Sequence, residues 1–177
     1  MHLRIQQCAP AQVSLLTKLV RKTFTEAFAV HNTVENFSSY INTYLTEEQL
    51  GKELENPDSN FYFVHYRDDL VGYFKVNKRG AQTELKKEES MELERIYVDA
   101  RYQGRNIGSW MLQQVVGMAR QAEKSFLWLG VWEYNTAAIR FYERQGFVKF
   151  GEHPYYIGTD RQIDWLMRLD LLTLDHP

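Results

Sequence analysis

The chain has 177 residues, 44% of them hydrophobic and 25% charged, with 21 basic against 23 acidic residues and a net charge of −2. That length suits one domain, residues 1–177, around one sizeable core, and the charge balance offers no general attraction to nucleic acid. The one cysteine, Cys8, excludes an internal disulfide and fits a reducing cytoplasm, residues 1–7 lack the apolar core of a signal peptide, and no run is long enough to span a membrane.

Residues 3–7 read as a short first strand. Pro10 suits the first turn of a helix, and Val13, Leu16, Leu19, Phe24 and Phe28 recur at near-helical spacing to about Ala29. A break over 30–36 precedes a shorter helical piece at 37–44. Thr46-Glu47-Glu48-Gln49 is a capping-box pattern that opens a helix through Leu50 and Leu54, and Asn56-Pro57-Asp58 ends it. Residues 61–66 are a strand by composition, Arg67-Asp68-Asp69 turns the chain, and 70–76 returns as the next strand. The polar stretch 78–90 has no apolar period and is expected to be a mobile loop. Residues 91–98 form the central strand, and 108–124 a long helix with Met111, Val115, Met118 and Ala122 along one face. Another buried strand covers 126–132, and a helix at 135–145 is terminated by Gly146. Two closing strands follow at 147–151 and 163–169, and residues 173–177 are expected to fray. This order is α/β or α+β with a mixed sheet of about seven strands and helices on both faces.

The chain is organised around Val98-Asp99-Ala100-Arg101-Tyr102-Gln103-Gly104-Arg105-Asn106-Ile107-Gly108-Ser109. A strand enters this loop and a long helix leaves it. Gly104, Asn106 and Gly108 tolerate positive φ, so the loop can turn several backbone N–H groups into one space. The free N–H groups and dipole of the following helix add to them, and an anion such as a phosphate is the usual guest. Gly104 and Gly108 stand too close for a P-loop and no lysine follows, while the Gly-x-Gly-x-x-Gly dinucleotide spacing is absent.

The loop resembles the pyrophosphate loop of the GNAT N-acetyltransferase superfamily, Gln/Arg-x-x-Gly-x-Gly/Ala, in the register Gln103-Gly104-Arg105-Asn106-Ile107-Gly108. Asn106 stands where that family usually has glycine. A second stretch, Asn135-Thr136-Ala137-Ala138-Ile139-Arg140-Phe141-Tyr142-Glu143-Arg144-Gln145-Gly146-Phe147, resembles the family pattern Asn-x-x-Ala-x-x-x-Tyr-x-x-x-Gly-Phe at every signature position. The resemblance covers nearly the whole chain. It implies acetyl-CoA as co-substrate and no metal. The pantetheine arm is expected to pair with the backbone of Ile96, Tyr97 and Val98, and the pyrophosphate with Gln103, Gly104, Arg105, Asn106, Ile107, Gly108 and Ser109. Asn135 is expected either to contact the cofactor or simply to cap its helix. Tyr142, two turns along the same helix face, is expected to protonate the departing thiolate, or else to be a half-buried core aromatic.

Acyl transfer to an amine also needs a base, because an ammonium cannot attack a thioester. The central strand supplies two carboxylates, and Glu92, Glu94, Ile96 and Val98 are expected to alternate onto one face. Glu94 is the first choice of base, through water, and Glu92 the second; solvation, or pairing with Arg95, is the structural alternative. The resemblance implies an acceptor groove built by the early helices and the late strands, which here bring Phe28, His31, Asn32, Glu35, Tyr155, Tyr156 and Trp165, with Glu133 near the reaction centre. Aromatic and acidic residues suit a cationic amine. The pattern is most similar to PaiA-type spermine/spermidine acetyltransferases, which implies a small amine acceptor, a polyamine among them. A protein or peptide amine, or a non-catalytic acyl-CoA-binding regulatory module, remains open. The five histidines show no ligand spacing, so no metal is implied, and nucleic acid and membrane partners are not expected. The apolar closing strands would suit a homodimer.

Overall fold

Seven strands form one mixed sheet in the order β1-β2-β3-β4-β5-β7-β6, seen in a computed structural model that describes residues 2–171. The strands are β1 (Leu3–Gln7), β2 (Ser59–Tyr66), β3 (Asp69–Lys78), β4 (Ser90–Val98), β5 (Phe126–Trp132), β6 (Val148–Ile157) and β7 (Asp160–Asp170). The helices are α1 (Val13–Phe28), α2 (Val34–Tyr44), α3 (Glu47–Glu55), α4 (Ile107–Gln121) and α5 (Thr136–Arg144). Only β4 and β5 run parallel, and the chain between them is the crossover that carries α4.

The sheet has a core on each face. On one side α4 and α5 cover Val71, Phe74, Met91, Leu93 and Leu129. Helix α4 buries Ile107, Met111, Leu112, Val115 and Ala119, a stripe at helical period, and Met118 and Ala122 pack at its margin. On the other side α1, α2 and α3 cover Phe61, Phe63 and Tyr73 with Leu16, Val20, Phe24, Phe37 and Leu50. Each fully buried side chain of this size contributes roughly 1.5–3 kcal/mol.

Several boundaries differ from the expectations. Helix α2 starts three residues early because Thr33 caps it, accepting from the Asn36 N–H at 3.3 Å. Thr46 caps α3 as expected, at 3.1 Å from the Gln49 N–H. The closing strands are longer than their composition suggests. Strand β6 is the sheet edge, so it accommodates Pro154 and a bulge near Gly151. The expected fraying of 173–177 concerns residues outside those described.

The segment expected as a mobile loop is tied down. Gln82 is 1% exposed, and its Oε1 accepts from the Trp128 indole and from the Ser90 hydroxyl, both at 2.7 Å. Its Nε2 donates to the Lys87 carbonyl at 2.9 Å. Apolar periodicity cannot report a strap held by one buried amide.

Candidate active site

Strands β4 and β5 stay paired for only three residues, ending at Glu92 opposite Trp128. From Leu93 and Leu129 onward they part, and the gap is the throat of a cleft of about 1090 Å³. Ile96, Tyr97 and Val98 line it from one side, and Asn135, Ala138 and Tyr142, at the cap and on the face of α5, line it from the other.

The loop after β4 forms one mouth of this cleft. Asp99, 2% exposed, caps a short turn at Ala100–Tyr102 and accepts from the Arg101 N–H at 3.0 Å and its Nη2 at 2.9 Å. The Lys22 ammonium of α1 also pairs with it. The Arg101 hydrogen bonds and Lys22 hold the Asp99 carboxyl well below the usual carboxylate range. This anion fixes the loop's root to α1. Gly104 (φ +74°) and Asn106 (φ +60°) are both left-handed, so Asn106 does the work of the glycine usual at its position. A Cβ at Gly104 or Gly108 would meet nothing within 4 Å, so both backbones face open space. Ile107, Gly108 and Ser109, which open α4 and whose N–H groups have no partner within the helix, line the same mouth. The loop therefore fits a pyrophosphate, with Gln103, Gly104, Asn106, Ile107, Gly108 and Ser109 all lining the cleft. Gln103 donates to the Val98 carbonyl at 3.0 Å, and Arg105 lies over the Tyr102 ring at 5.2 Å instead of lining the cleft.

A β-bulge in β4 corrects one expectation. Lys75 of β3 pairs with Arg95, and Val76 with Leu93, so Glu94 is an extra residue without a partner. Beyond it the strand's alternation is reversed. Glu92 and Glu94 therefore face Asn77 and Lys75, whereas Ile96 and Val98 join the core beneath α4. The four do not share a face.

The two carboxylates sit in different surroundings. Glu94 pairs with Lys75 and, at 3.2 Å, with Arg95, and accepts from the Asn77 amide at 2.6 Å. Glu53 of α3 closes the network, 2.9 Å from Lys75 and 3.6 Å from Arg95. Burial alone would raise the Glu94 carboxyl, but Arg95 and Lys75 outweigh it and hold it at about 2. Glu94 thus pairs with Arg95, the structural alternative, while still lining the cleft. Glu92, 2% exposed, accepts from the Thr83 N–H at 2.8 Å and from Asn77 at 3.0 Å. Burial first, and the charge of Glu94 second, raise its pKa. Its oxygens are already turned to the strap that holds residues 82–90.

On α5, Asn135 accepts from the Ala138 N–H at 3.1 Å and so caps the helix. Tyr142 is 8% exposed, and burial pushes its phenol far above the usual range, which keeps it a neutral donor at the cleft wall. Gly146 (φ +91°) ends α5: its N–H bonds to Glu143 and that of Phe147 to Tyr142. Cys8 is buried, and burial pushes its thiol up to about 11, far from a nucleophile.

The acceptor expectations divide. Phe28 lines the cleft, and Asn32 accepts from Gln162, which also lines it. His31 faces a smaller adjoining hollow beside Trp132. Glu35, Glu133, Tyr156 and Trp165 do not line the cleft. Trp165 turns to the opposite face, with the Lys149 ammonium 3.9 Å from its ring centre, because β7 alternates and Asp164 takes the inward position. The side chain of Tyr155 lies outside those described. The cleft instead gains Tyr40, Glu84, Trp128, His153 and Asp164. Lys75 and Asn77 were legible as polar residues in alternation within an apolar strand, and Asp164 as an acid in one. Among the described residues no group of three or more His, Cys, Asp or Glu side chains could hold a metal ion, and no helix is long and apolar enough to cross a membrane.

Comparison with known proteins gives this cleft its context. The family model for the Acetyltransferase (GNAT) family matches residues 17–147. An uncharacterized N-acetyltransferase of Lactobacillus delbrueckii subsp. lactis is 33% identical over 169 residues, 96% of this chain and 98% of that protein. The spermine/spermidine N(1)-acetyltransferase of Bacillus subtilis is 28% identical over 131 residues, 68% of this chain and 86% of that protein. In fold, the chain resembles the crystal structure of the PaiA N-acetyltransferase of Thermoplasma acidophilum in complex with coenzyme A. The TM-score is 0.75 at 19% identity, over 96% of this chain and 99% of that one. With the split strands, the left-handed loop and the capped α5 in place, the chain belongs to the GNAT family of acetyl-CoA-dependent N-acetyltransferases.

Proposed function

We propose that this enzyme acetylates a small amine that arrives as a cation, with polyamines as the favoured class. The observation that carries this reading is the acceptor side of the cleft. Glu84, Glu92 and Asp164 line it with aromatic Tyr40, Phe28 and Trp128, and the Glu94 charge is offset within its own ion-pair network. Acidic and aromatic walls attract an ammonium and its methylene chain. The similarity to a Bacillus subtilis protein named for spermine and spermidine supports the same class.

The chain's residues divide the work as follows. The loop 103–109 and the start of α4 hold the pyrophosphate, with Arg105 free to swing from Tyr102 toward it. The backbone of Ile96, Tyr97 and Val98 holds the pantetheine arm as an added strand. Bound acetyl-CoA supplies an activated acetyl group, transferred directly without a covalent enzyme intermediate. Tyr142, kept neutral by burial, donates its proton to the leaving sulfur. Asn135 keeps α5, and so Tyr142, in register. Glu92 and Glu94 shape the field of the acceptor wall.

The test is kcat/KM for spermidine, spermine, simple monoamines and short peptides, with acetyl-CoA saturating. A polyamine preference of at least tenfold supports the reading. Preference for peptide N-termini or lysine sidechains would keep the chemistry and reject the acceptor class. Tight acetyl-CoA binding with no transfer to any amine would favour a regulatory module.

A further inference from the structure

With Glu94 locked in ion pairs and Glu92 spent on the strap, the reaction still needs a group to take the amine's proton. Five carboxylates line the cleft: Glu26, Glu84, Glu92, Glu94 and Asp164. Glu26 pairs with Lys22 at 3.3 Å, and Glu84 with His153 at 3.0 Å. Glu92 and Glu94 are engaged as described. Among the described residues, Asp164 alone of the five receives no hydrogen bond and no ion pair.

Its position is also distinctive. On β7 it stands opposite Trp132 of β5 and His153 of β6. Its carboxylate leans over Gly130, where a Cβ would lie 3.4 Å from Oδ2. Gly130 comes two residues after the last β4–β5 pair, so Asp164 overlooks the point where the strands separate. The absent side chain at 130 leaves the carboxylate open to the cleft.

The geometry points to Asp164 as the catalytic base, the residue that takes a proton from the bound ammonium before it attacks the thioester. This assignment rests on the amine-acetylation reading above. The step balances as follows. One ammonium proton moves to the Asp164 carboxylate, and the nitrogen lone pair forms the C–N bond. The C–S bond breaks, and the sulfur takes the Tyr142 proton. The nitrogen's second surplus proton restores Tyr142, and Asp164 releases its own to solvent. One ammonium and one thioester thus yield one amide, one thiol and one proton.

The chemistry of the site suits that task. Burial raises the Asp164 carboxyl to about 6, opposed by the His153 charge. A base of this strength is ionised at neutral pH yet accepts a proton far more readily than Glu94. The groups facing it are His153 from β6, held by Glu84 from the strap, and Glu92 and Glu94 across the cleft on β4. Strand β5 presents Gly130 and Trp132 there, neither of which titrates.

The experiment is the pH dependence of kcat/KM from pH 5 to 10 for the best amine, in the wild type, Asp164→Asn and Asp164→Glu. Acetyl-CoA affinity is measured alongside. For the wild type, activity should rise through about pH 6 and then level, because the bound ammonium is deprotonated by the enzyme. Asp164→Asn should lose 10²–10⁴-fold at pH 7. Its activity should climb with unit slope toward the amine's own pKa, near 10, because it must wait for free amine. Asp164→Glu should restore the plateau in part. Acetyl-CoA affinity should change less than threefold. A wild-type-like profile in Asp164→Asn would overturn the assignment while leaving amine acetylation intact. Failure of the wild type to acetylate any amine would overturn both.

Discussion

Replacing Glu94 by glutamine separates a structural charge from a catalytic one. Lys75 is 5% exposed and the Glu94 side chain 19%, so the network of Glu53, Glu94, Lys75 and Arg95 is neutral and largely shielded from water. Glu94→Gln leaves one net positive charge among these groups. Holding Glu94 at about 2 instead of 4.5 is worth about 3 kcal/mol at pH 7, from 1.36 kcal/mol per unit. The usual cost of removing one partner of a buried pair, about 3–5 kcal/mol, agrees. In a chain of this size, that lowers the melting temperature by about 6–12 °C. Because the native pKa is depressed, the stabilisation is complete above the ordinary carboxylate range and is lost as pH falls through about 2. The penalty should therefore shrink to about 2 kcal/mol at pH 3.5. Urea unfolding of the wild type, Glu94→Gln and the double variant Glu94→Gln/Lys75→Met at both pH values reads this directly. The double variant, neutral again, should recover at least half of the loss. A Glu94→Gln protein as stable as the wild type, with turnover collapsed and no activity limb near pH 6, would refute this reasoning and restore Glu94 as the base.

Other perturbations reach different parts of the structure. Tyr142→Phe should lower kcat by 10²-fold or more with acetyl-CoA affinity nearly unchanged, as stopped-flow binding and steady-state turnover would read; equal losses would reduce Tyr142 to a packing role. Gly72→Ala should destabilise by about 1–3 kcal/mol, since the added Cβ would lie 2.4 Å from the Tyr97 carbonyl oxygen on the strand proposed to hold pantetheine. It should also weaken acetyl-CoA binding, measured by calorimetry. Asn106→Gly should bind acetyl-CoA as the wild type does, whereas Asn106→Val, unsuited to φ +60°, should bind at least tenfold more weakly. His153→Gln should move the acidic limb of activity upward, because the His153 charge lowers the Asp164 carboxyl.

The sequence displayed best what depends on local chemistry. Gly104 and Asn106 announced a left-handed loop, whereas Gly108, expected to share it, is taken into the first turn of α4; Asn135 with Gly146 bracketed α5, because caps and positive φ are written in single residues. Burial periodicity located α4 for the same reason. What stayed hidden depends on pairing. The bulge at Glu94 arises from the register with β3, and strict alternation along β4 could not foresee that Glu92 and Ile96 face opposite ways. The neutralising partners of Glu94 come from α3 and β3, distant in sequence. Trp165 drew attention by its size, while its neighbour Asp164 took the inward position set by pairing with β5. The strap has no apolar signature because one buried glutamine, bonded to Trp128 and Ser90, replaces the apolar pattern a packed segment usually shows.

The most direct test of the account is mass spectrometry of spermidine after incubation with the protein and acetyl-CoA, with free thiol counted in the same reaction. The account predicts one acetyl group gained by the amine for each thiol released, a signal abolished without protein. Acetyl-CoA that binds tightly yet is never transferred, to spermidine or to any other amine, would contradict it.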